Sequence, residues 1–103
     1  YDHNWVLNNQ SGKLAPAAAL YEKTTGRYME VWTTEPAIQF YCGNFLTDQV
    51  PSKKPGKNLC YRGGLALETQ HSPDSPNQPA FPSTILRPGA VYKSTTEYRF
   101  GVR

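Results

Sequence analysis

Short segments that favour β-strand, each ended by a turn residue, follow one another along most of this chain. In residues 27–34, "RYMEVWTT", β-branched and aromatic side chains are frequent, and alternate residues would lie on opposite faces of a strand. Gly26 precedes this segment as a turn residue, and Pro36 stops or bends the strand after it. The pattern therefore predicts a strand between Gly26 and Pro36.

The same pattern recurs in the later part of the chain. Further strand signals occur in "AIQFY" (37–41), "LALET" (65–69), "TILRPGAVYKS" (84–94, across a Pro-Gly turn) and "STTEYRFGV" (94–102). An alanine-rich segment, "KLAPAAALYEK", is interrupted by Pro16 and suits a strand as well as a helix. Many short strands separated by turns predict an all-β sandwich or barrel.

The charge of the chain is modest, and its basic residues are not arranged for nucleic acid. The net charge is +3, and the basic cluster of Lys53, Lys54 and Lys57 lies in "PSKKPGKN", which is typical of an exposed loop. No apolar run approaches membrane-spanning length. We therefore expect neither a nucleic-acid nor a membrane partner.

The two cysteines, Cys42 and Cys60, lack the CxxC spacing and the neighbouring histidines of a zinc site. Two free thiols in a reducing compartment are the favoured interpretation, which predicts a cytoplasmic protein, and a single disulfide is the alternative. Since the chain offers no other ligand cluster, we expect no metal site.

One carboxylate occupies an unusual position. In "GGLALETQHSPDSPN", Glu68 stands where an apolar strand passes into a long loop, residues 71–82, that is stiffened by prolines. A carboxylate at the end of an apolar strand is expected to be partly desolvated, which makes it a stronger base. The alternative is a surface glutamate at a strand end.

Four long segments, in this order, resemble the aldose 1-epimerases, which include the galactose mutarotases. These segments are "YDHNWVLN", "GRYMEVWTTEPAIQFYCGNFL", "GLALETQHSPDSPNQPAFPSTILRPG" and "YKSTTEYRF". The resemblance covers essentially the whole chain, but it matches only the carboxyl-terminal third or so of such an enzyme. It implies that residues 1–103 are the carboxyl-terminal portion of one large antiparallel β-sandwich domain, the galactose mutarotase-like supersandwich.

The resemblance also implies an activity, the interconversion of the α and β anomers of free aldoses such as galactose and glucose. Ring opening needs a base for the anomeric hydroxyl and an acid for the ring oxygen, and it requires no cofactor. By resemblance, Glu68 in "LETQ" is the general base, Asp2 in "YDHN" binds sugar hydroxyls, and Gln39 in "AIQFY" lies near the sugar. From the residues alone, Asp2 could instead cap a turn, and Gln39 could be an ordinary polar strand residue.

The acid is not expected within this chain. In the family it is a histidine of the amino-terminal half, and His3 and His71 stand in different contexts, so we expect His3 to be structural and assign no catalytic function to His71. Residues 1–103 alone are therefore predicted to be inactive without the missing upstream half. A non-catalytic sugar-binding or regulatory sandwich is the main alternative, and a glycoside hydrolase using Asp2 and Glu68 is less favoured.

Overall fold

The computed structural model describes all residues, 1–103, and contains six strands in two separate three-stranded antiparallel sheets. The strands are β1 (Asp2–Val6), β2 (Ala15–Tyr21), β3 (Arg27–Thr33), β4 (Ala37–Tyr41), β5 (Ala66–Gln70) and β6 (Thr96–Val102). The one helical element is a 3₁₀ turn, Ser75–Asn77, and no helix has the length and apolar character needed to cross a membrane. The all-β prediction is confirmed, and the two sheets are consistent with part of a β-sandwich.

The first sheet has the order β1-β4-β5 and a register that separates polar from apolar side chains. Asn4 pairs with Gln39 across β1 and β4, and Gln39 pairs with Glu68 across β4 and β5. Because alternate residues of a strand lie on opposite faces, one face carries mostly polar side chains and the other is mainly apolar. We call the first the polar face; it comprises Asp2, Asn4, Gln39, Tyr41, Glu68 and Gln70.

The second sheet has the order β2-β3-β6, so β3 is its central strand. Val31 and Thr33 on β3 are the largest fully buried side chains of the chain. Pro16 lies on the edge strand β2, where a missing backbone donor is tolerated, and a register shift follows it between Pro16 and Ala18. Pro16 therefore disfavours a helix in this segment but is compatible with an edge strand.

One face of β3 carries aromatic side chains that contact an arginine and a carboxylate. Trp32 is half-buried beneath the guanidinium of Arg99, which lies 3.9 Å from the ring centroid. Glu30 is half-buried and accepts hydrogen bonds from Tyr28 Oη (2.5 Å) and Trp32 Nε1 (2.9 Å). Arginine and carboxylate thus cover the aromatic rings on this side of the sheet.

One predicted strand is absent, and one observed strand was not predicted. Residues 84–94, "TILRPGAVYKS", form no strand, and the whole connection from Gln70 to Thr96 lacks strand pairing. Conversely, the first residues of the chain pair with β4 as strand β1, although their sequence gave no strand signal to us. Both errors concern pairing between distant segments, which local propensity does not report.

The buried core is small. Only 8 of 103 residues are buried, while many large hydrophobic side chains are exposed, among them Trp5 (52%) and Phe100 (77%). The two sheets therefore leave apolar strand faces uncovered within these residues. Exposed faces of this kind favour association with other protein surface.

A buried carboxylate joins the ends of β4 and β5. Glu35, which shortly precedes β4, is only 6% exposed, and its Oε2 lies 2.7 Å from Nδ1 of His71, directly after β5. Its other oxygen accepts a hydrogen bond from Tyr92 Oη at 2.5 Å. We call Glu35, His71 and Tyr92 the Glu35 clasp. The clasp ties together the two strands that carry Gln39 and Glu68.

The charge state of the clasp follows from its contacts. Burial raises the pKa of Glu35, but hydrogen bonds from Ser94, Tyr92 and His71 lower it by more, so its pKa lies below the ordinary 4.5. The carboxylate is therefore ionised at neutral pH and can only accept hydrogen bonds, which places the proton of the His71 imidazole on Nδ1. The same bond to Glu35 raises the pKa of Tyr92.

Candidate active site

The three residues predicted to contact sugar lie together on the polar face. Asp2 comes from β1, Gln39 from the central strand β4 and Glu68 from β5. They line one open cleft of about 470 Å³, whose walls are formed by Asp2, Gln39, Tyr41, Phe45, Glu68, Gln70 and Pro73. Strand register thus unites residues from the start, middle and later part of the chain.

Glu68 occupies the centre of β5 and directly faces Gln39 in the register. It is exposed, and its carboxylate accepts no hydrogen bond from another residue of the chain. The prediction that Glu68 is partly desolvated is therefore wrong for residues 1–103. Strand β5 continues to Gln70, and the loop after it does not cover the Glu68 carboxylate. Both carboxylate oxygens are free to meet a ligand.

Asp2 and Gln39 form a direct pair beside Glu68. The Nε2 of Gln39 donates a hydrogen bond to Oδ1 of Asp2 at 2.6 Å. Asp2 lies within β1, so the turn-cap alternative is wrong, and the second oxygen of its carboxylate keeps its capacity to accept. Three strands therefore present two carboxylates and an amide toward one space.

The loop after strand β5 is held by hydrogen bonds between its own side chains. Asp74 adopts a left-handed conformation (φ 64°), which aspartate tolerates better than most residues. Its carboxylate accepts hydrogen bonds from Asn77 Nδ2 (2.5 Å) and Gln78 Nε2 (2.9 Å). These bonds join side chains rather than side chain and backbone, and they fix the loop that brings Pro73 to the cleft.

Two aromatic side chains complete the cleft, a role that could not be assigned from the sequence alone. The rings of Tyr41 and Phe45 stack with centroids 6.3 Å apart, and the Phe45 N–H donates to Tyr41 Oη at 2.9 Å. Tyr41 shares the face of Gln39 because the two are separated by one residue on β4, and this spacing is the sequence signal that could have placed Tyr41 beside the cleft. Gly43 lies in the turn between Tyr41 and Phe45. Its φ is 73°, and a Cβ at this position would lie only 2.5 Å from the carbonyl oxygen of Gly64, so the turn requires glycine.

Neither histidine reaches the cleft. His3 is exposed, and its Nδ1 accepts a hydrogen bond from the Asp2 N–H at 3.2 Å. His71 belongs to the Glu35 clasp and lies beside a different cavity. The cleft therefore contains two carboxylates and polar side chains, but no imidazole lies opposite Glu68.

That other cavity is larger, about 620 Å³, but it is less suited to chemistry. Its lining includes the whole Glu35 clasp together with Ile85 and Leu86. Both oxygens of Glu35 are already hydrogen-bonded within the clasp, whereas both oxygens of Glu68 are free. We therefore take the smaller, more polar cleft as the candidate active site.

Comparison with known proteins identifies the family. The family model described as aldose 1-epimerase matches residues 1–99. The chain is 44% identical over 102 residues to the galactose mutarotase of Mus musculus and 42% identical to that of Homo sapiens, in each case over 99% of this chain. It is 41% identical to the aldose 1-epimerase of Escherichia coli (strain K12), over 97% of this chain. The chain thus belongs to the aldose 1-epimerase family, and it spans 29% of the length of these relatives.

Proposed function

We propose that these residues form part of the active site of an enzyme that interconverts the α and β anomers of free aldoses such as galactose and glucose. The observation that carries the proposal is the meeting of Glu68, Asp2 and Gln39 in one cleft on the polar face. Family membership supports the same assignment, since the relatives are galactose mutarotases and aldose 1-epimerases.

Glu68 is the general base of the proposed reaction. A free carboxylate accepts the proton of the anomeric hydroxyl while the bond between C1 and the ring oxygen breaks, and an acid protonates the ring oxygen. The C1–C2 bond then rotates and the ring closes with the roles reversed. A well-placed acid or base typically contributes about 100- to 10,000-fold in rate.

Asp2 and Gln39 hold the sugar in this scheme. An ionised carboxylate accepts hydrogen bonds from hydroxyls, and the Gln39 amide can donate one in addition to its bond with Asp2. The stacked rings of Tyr41 and Phe45 offer an apolar surface beside these polar groups. A polyol with polar edges and an apolar ring face matches this combination.

The acid comes from outside these residues. His3 and His71 lie away from the cleft, and the relatives extend well beyond the matched region. We infer that a histidine in an upstream half of the same protein protonates the ring oxygen. That half would also shield Glu68 from water, which the present residues do not.

The free cysteines Cys42 and Cys60 support a cytoplasmic location.

Polarimetry on freshly dissolved α-galactose and α-glucose tests the proposal. The full-length protein should accelerate mutarotation well above the buffer rate. Residues 1–103 expressed alone should not, and they should self-associate in size-exclusion chromatography because apolar strand faces are exposed. Sugar binding by the full-length protein without turnover would instead establish the non-catalytic alternative.

A further inference from the structure

Amide side chains beside the cleft form a hydrogen-bonded row in which Gln70 donates to a neighbour on each side. At one end Asn4 Nδ2 donates to Ser72 Oγ at 3.0 Å. In the middle Gln70 Nε2 donates to Asn4 Oδ1 at 2.9 Å and to Gln39 Oε1 at 3.3 Å. At the other end Gln39 Nε2 donates to Asp2 Oδ1 at 2.6 Å. The row therefore ends on a carboxylate that lines the cleft.

The orientation of each amide in this row matters because an amide group has donors on its nitrogen and an acceptor on its oxygen. The ionised carboxylate of Asp2 only accepts, so Gln39 must present its NH₂ group to Asp2. The Gln39 oxygen then needs a donor on its opposite side. Gln70 provides that donor, and its second N–H is used by Asn4. Asn4, Gln39 and Gln70 are all half-buried, which limits replacement of these bonds by water.

We propose that Gln70 is a positioning residue that holds the Gln39 amide in the orientation that binds sugar. In this orientation one N–H of Gln39 is bonded to Asp2, and the other remains available to a sugar hydroxyl. The free oxygen of Asp2 lies beside it as an acceptor. The inference rests on the proposed sugar site, and it gives Gln70, which also lines the cleft, a role that it exerts through Gln39.

Kinetics of the full-length protein on α-galactose provide the first test. Gln70→Leu removes both donors at similar volume, and we expect KM to rise about 2- to 10-fold, with a smaller change in kcat because Glu68 is untouched. Gln70→Glu should raise KM further, since an ionised carboxylate accepts from Gln39 Nε2 and turns its oxygen toward Asp2. Gln49→Leu is the matched control, because Gln49 is exposed and its side chain bonds only to Asp48.

A double-mutant cycle shows whether Gln70 acts through Gln39. If it does, Gln70→Leu should raise KM in the wild type but add little in a Gln39→Leu background. Additive effects of the two substitutions, or a KM that Gln70→Leu leaves at the wild-type value, would overturn the inference. A lowered melting temperature without a change in KM would likewise leave Gln70 as a structural residue only.

Side-chain amide resonances separate failure of this inference from failure of the proposed function. The ¹⁵N-labelled Gln39 signal, assigned by its loss in Gln39→Leu, should shift in Gln70→Leu and stay unchanged in Gln49→Leu. An unchanged Gln39 signal in Gln70→Leu overturns the positioning role whatever the activity. A wild-type protein that neither binds nor turns over α-galactose overturns the proposed function, and with it the sugar-binding purpose of the row.

Discussion

Glu35 and Glu68 lie at the same pair of strands, β4 and β5, in opposite environments. Glu35 is buried and ionised, and both of its oxygens accept hydrogen bonds from His71 and Tyr92. Glu68 is exposed in the middle of β5 and has no partner in the chain. Both oxygens of Glu35 are occupied by hydrogen bonds that hold the strand ends together, whereas both oxygens of Glu68 are available to a ligand.

The comparison shows that burial alone does not single out the carboxylate that is open to a ligand. A search for a desolvated glutamate would select Glu35, whose hydrogen bonds outweigh its desolvation and leave it a weak base. Glu68 is distinguished by its free oxygens and by its neighbours Asp2 and Gln39 in the cleft. Substitutions at the two glutamates should therefore separate activity from stability.

The largest expected effect is the loss of catalysis in Glu68→Gln. In the full-length protein this change should lower mutarotation, followed by polarimetry, by about 100- to 10,000-fold, because an amide cannot accept the anomeric proton. The unfolding midpoint should hardly move, since Glu68 has no partner to lose. Glu97→Gln, in β6 of the other sheet, is the control and should keep its activity. Near-native turnover in Glu68→Gln would show that the base is another group.

Asp2→Asn should give the next largest effect. Its charged hydrogen bond with Gln39 becomes a neutral one, and a bond to a charged group is worth roughly 1.5–3 kcal/mol. We expect kcat/KM to fall about 10-fold or more, mostly through a higher KM for galactose. Asp48→Asn, in the exposed loop, serves as the comparison. If both KM and kcat stay unchanged, Asp2 has no part in sugar binding.

Glu35→Ala should destabilise the protein more than it impairs the chemical step. Removing this acceptor leaves Tyr92 Oη and His71 Nδ1 without partners, which costs roughly 1–3 kcal/mol in the free energy of unfolding. Urea denaturation of the full-length protein at neutral pH measures this loss, with Glu68→Ala as the matched glutamate. Equal stability of the two variants would contradict the difference drawn between these carboxylates.

The smallest expected effect is a pH dependence of the Glu35 contribution. Because the folded pKa of Glu35 lies below its ordinary 4.5, its contribution is fully present above that value and is lost as the pH falls through the folded pKa. The stability difference between wild type and Glu35→Gln should therefore be constant near neutrality and shrink below pH 4.5. A difference that instead grows with acidification would mean that the pKa of Glu35 is raised.

Much of the fold could be predicted from local pattern. Residues 37–41 form a strand with the predicted bounds, and the strands around Val31 and Tyr98 lie within the predicted segments. Period-two alternation and the flanking Gly26 and Pro36 are local signals, so a single sequence reports them. The motif around Glu68 likewise indicated the family, which the comparisons confirm.

The site itself depended on pairing between distant segments. Nothing in "YDHN" indicates that β1 pairs with β4, yet this register alone brings Asp2 within hydrogen-bonding distance of Gln39. The hydrogen bonds of the amide row likewise form only because Asn4, Gln39 and Gln70, which come from three strands, lie side by side. Alternation along one strand shows which residues share a face, but not which strand lies next to it.

Sequence by itself determined the all-β class, the strands β3, β4 and β6 and the family, and it predicted the candidate base, because each depends on residues that are neighbours along the chain. Tertiary structure decided which glutamate is buried and which is free. Glu35 and Glu68 both stand beside short apolar strands in the sequence, and their exposure differs because His71 and Tyr92 fold over only one of them. Burial and hydrogen bonding are set by groups far away in sequence, so they appear only when the strands are assembled.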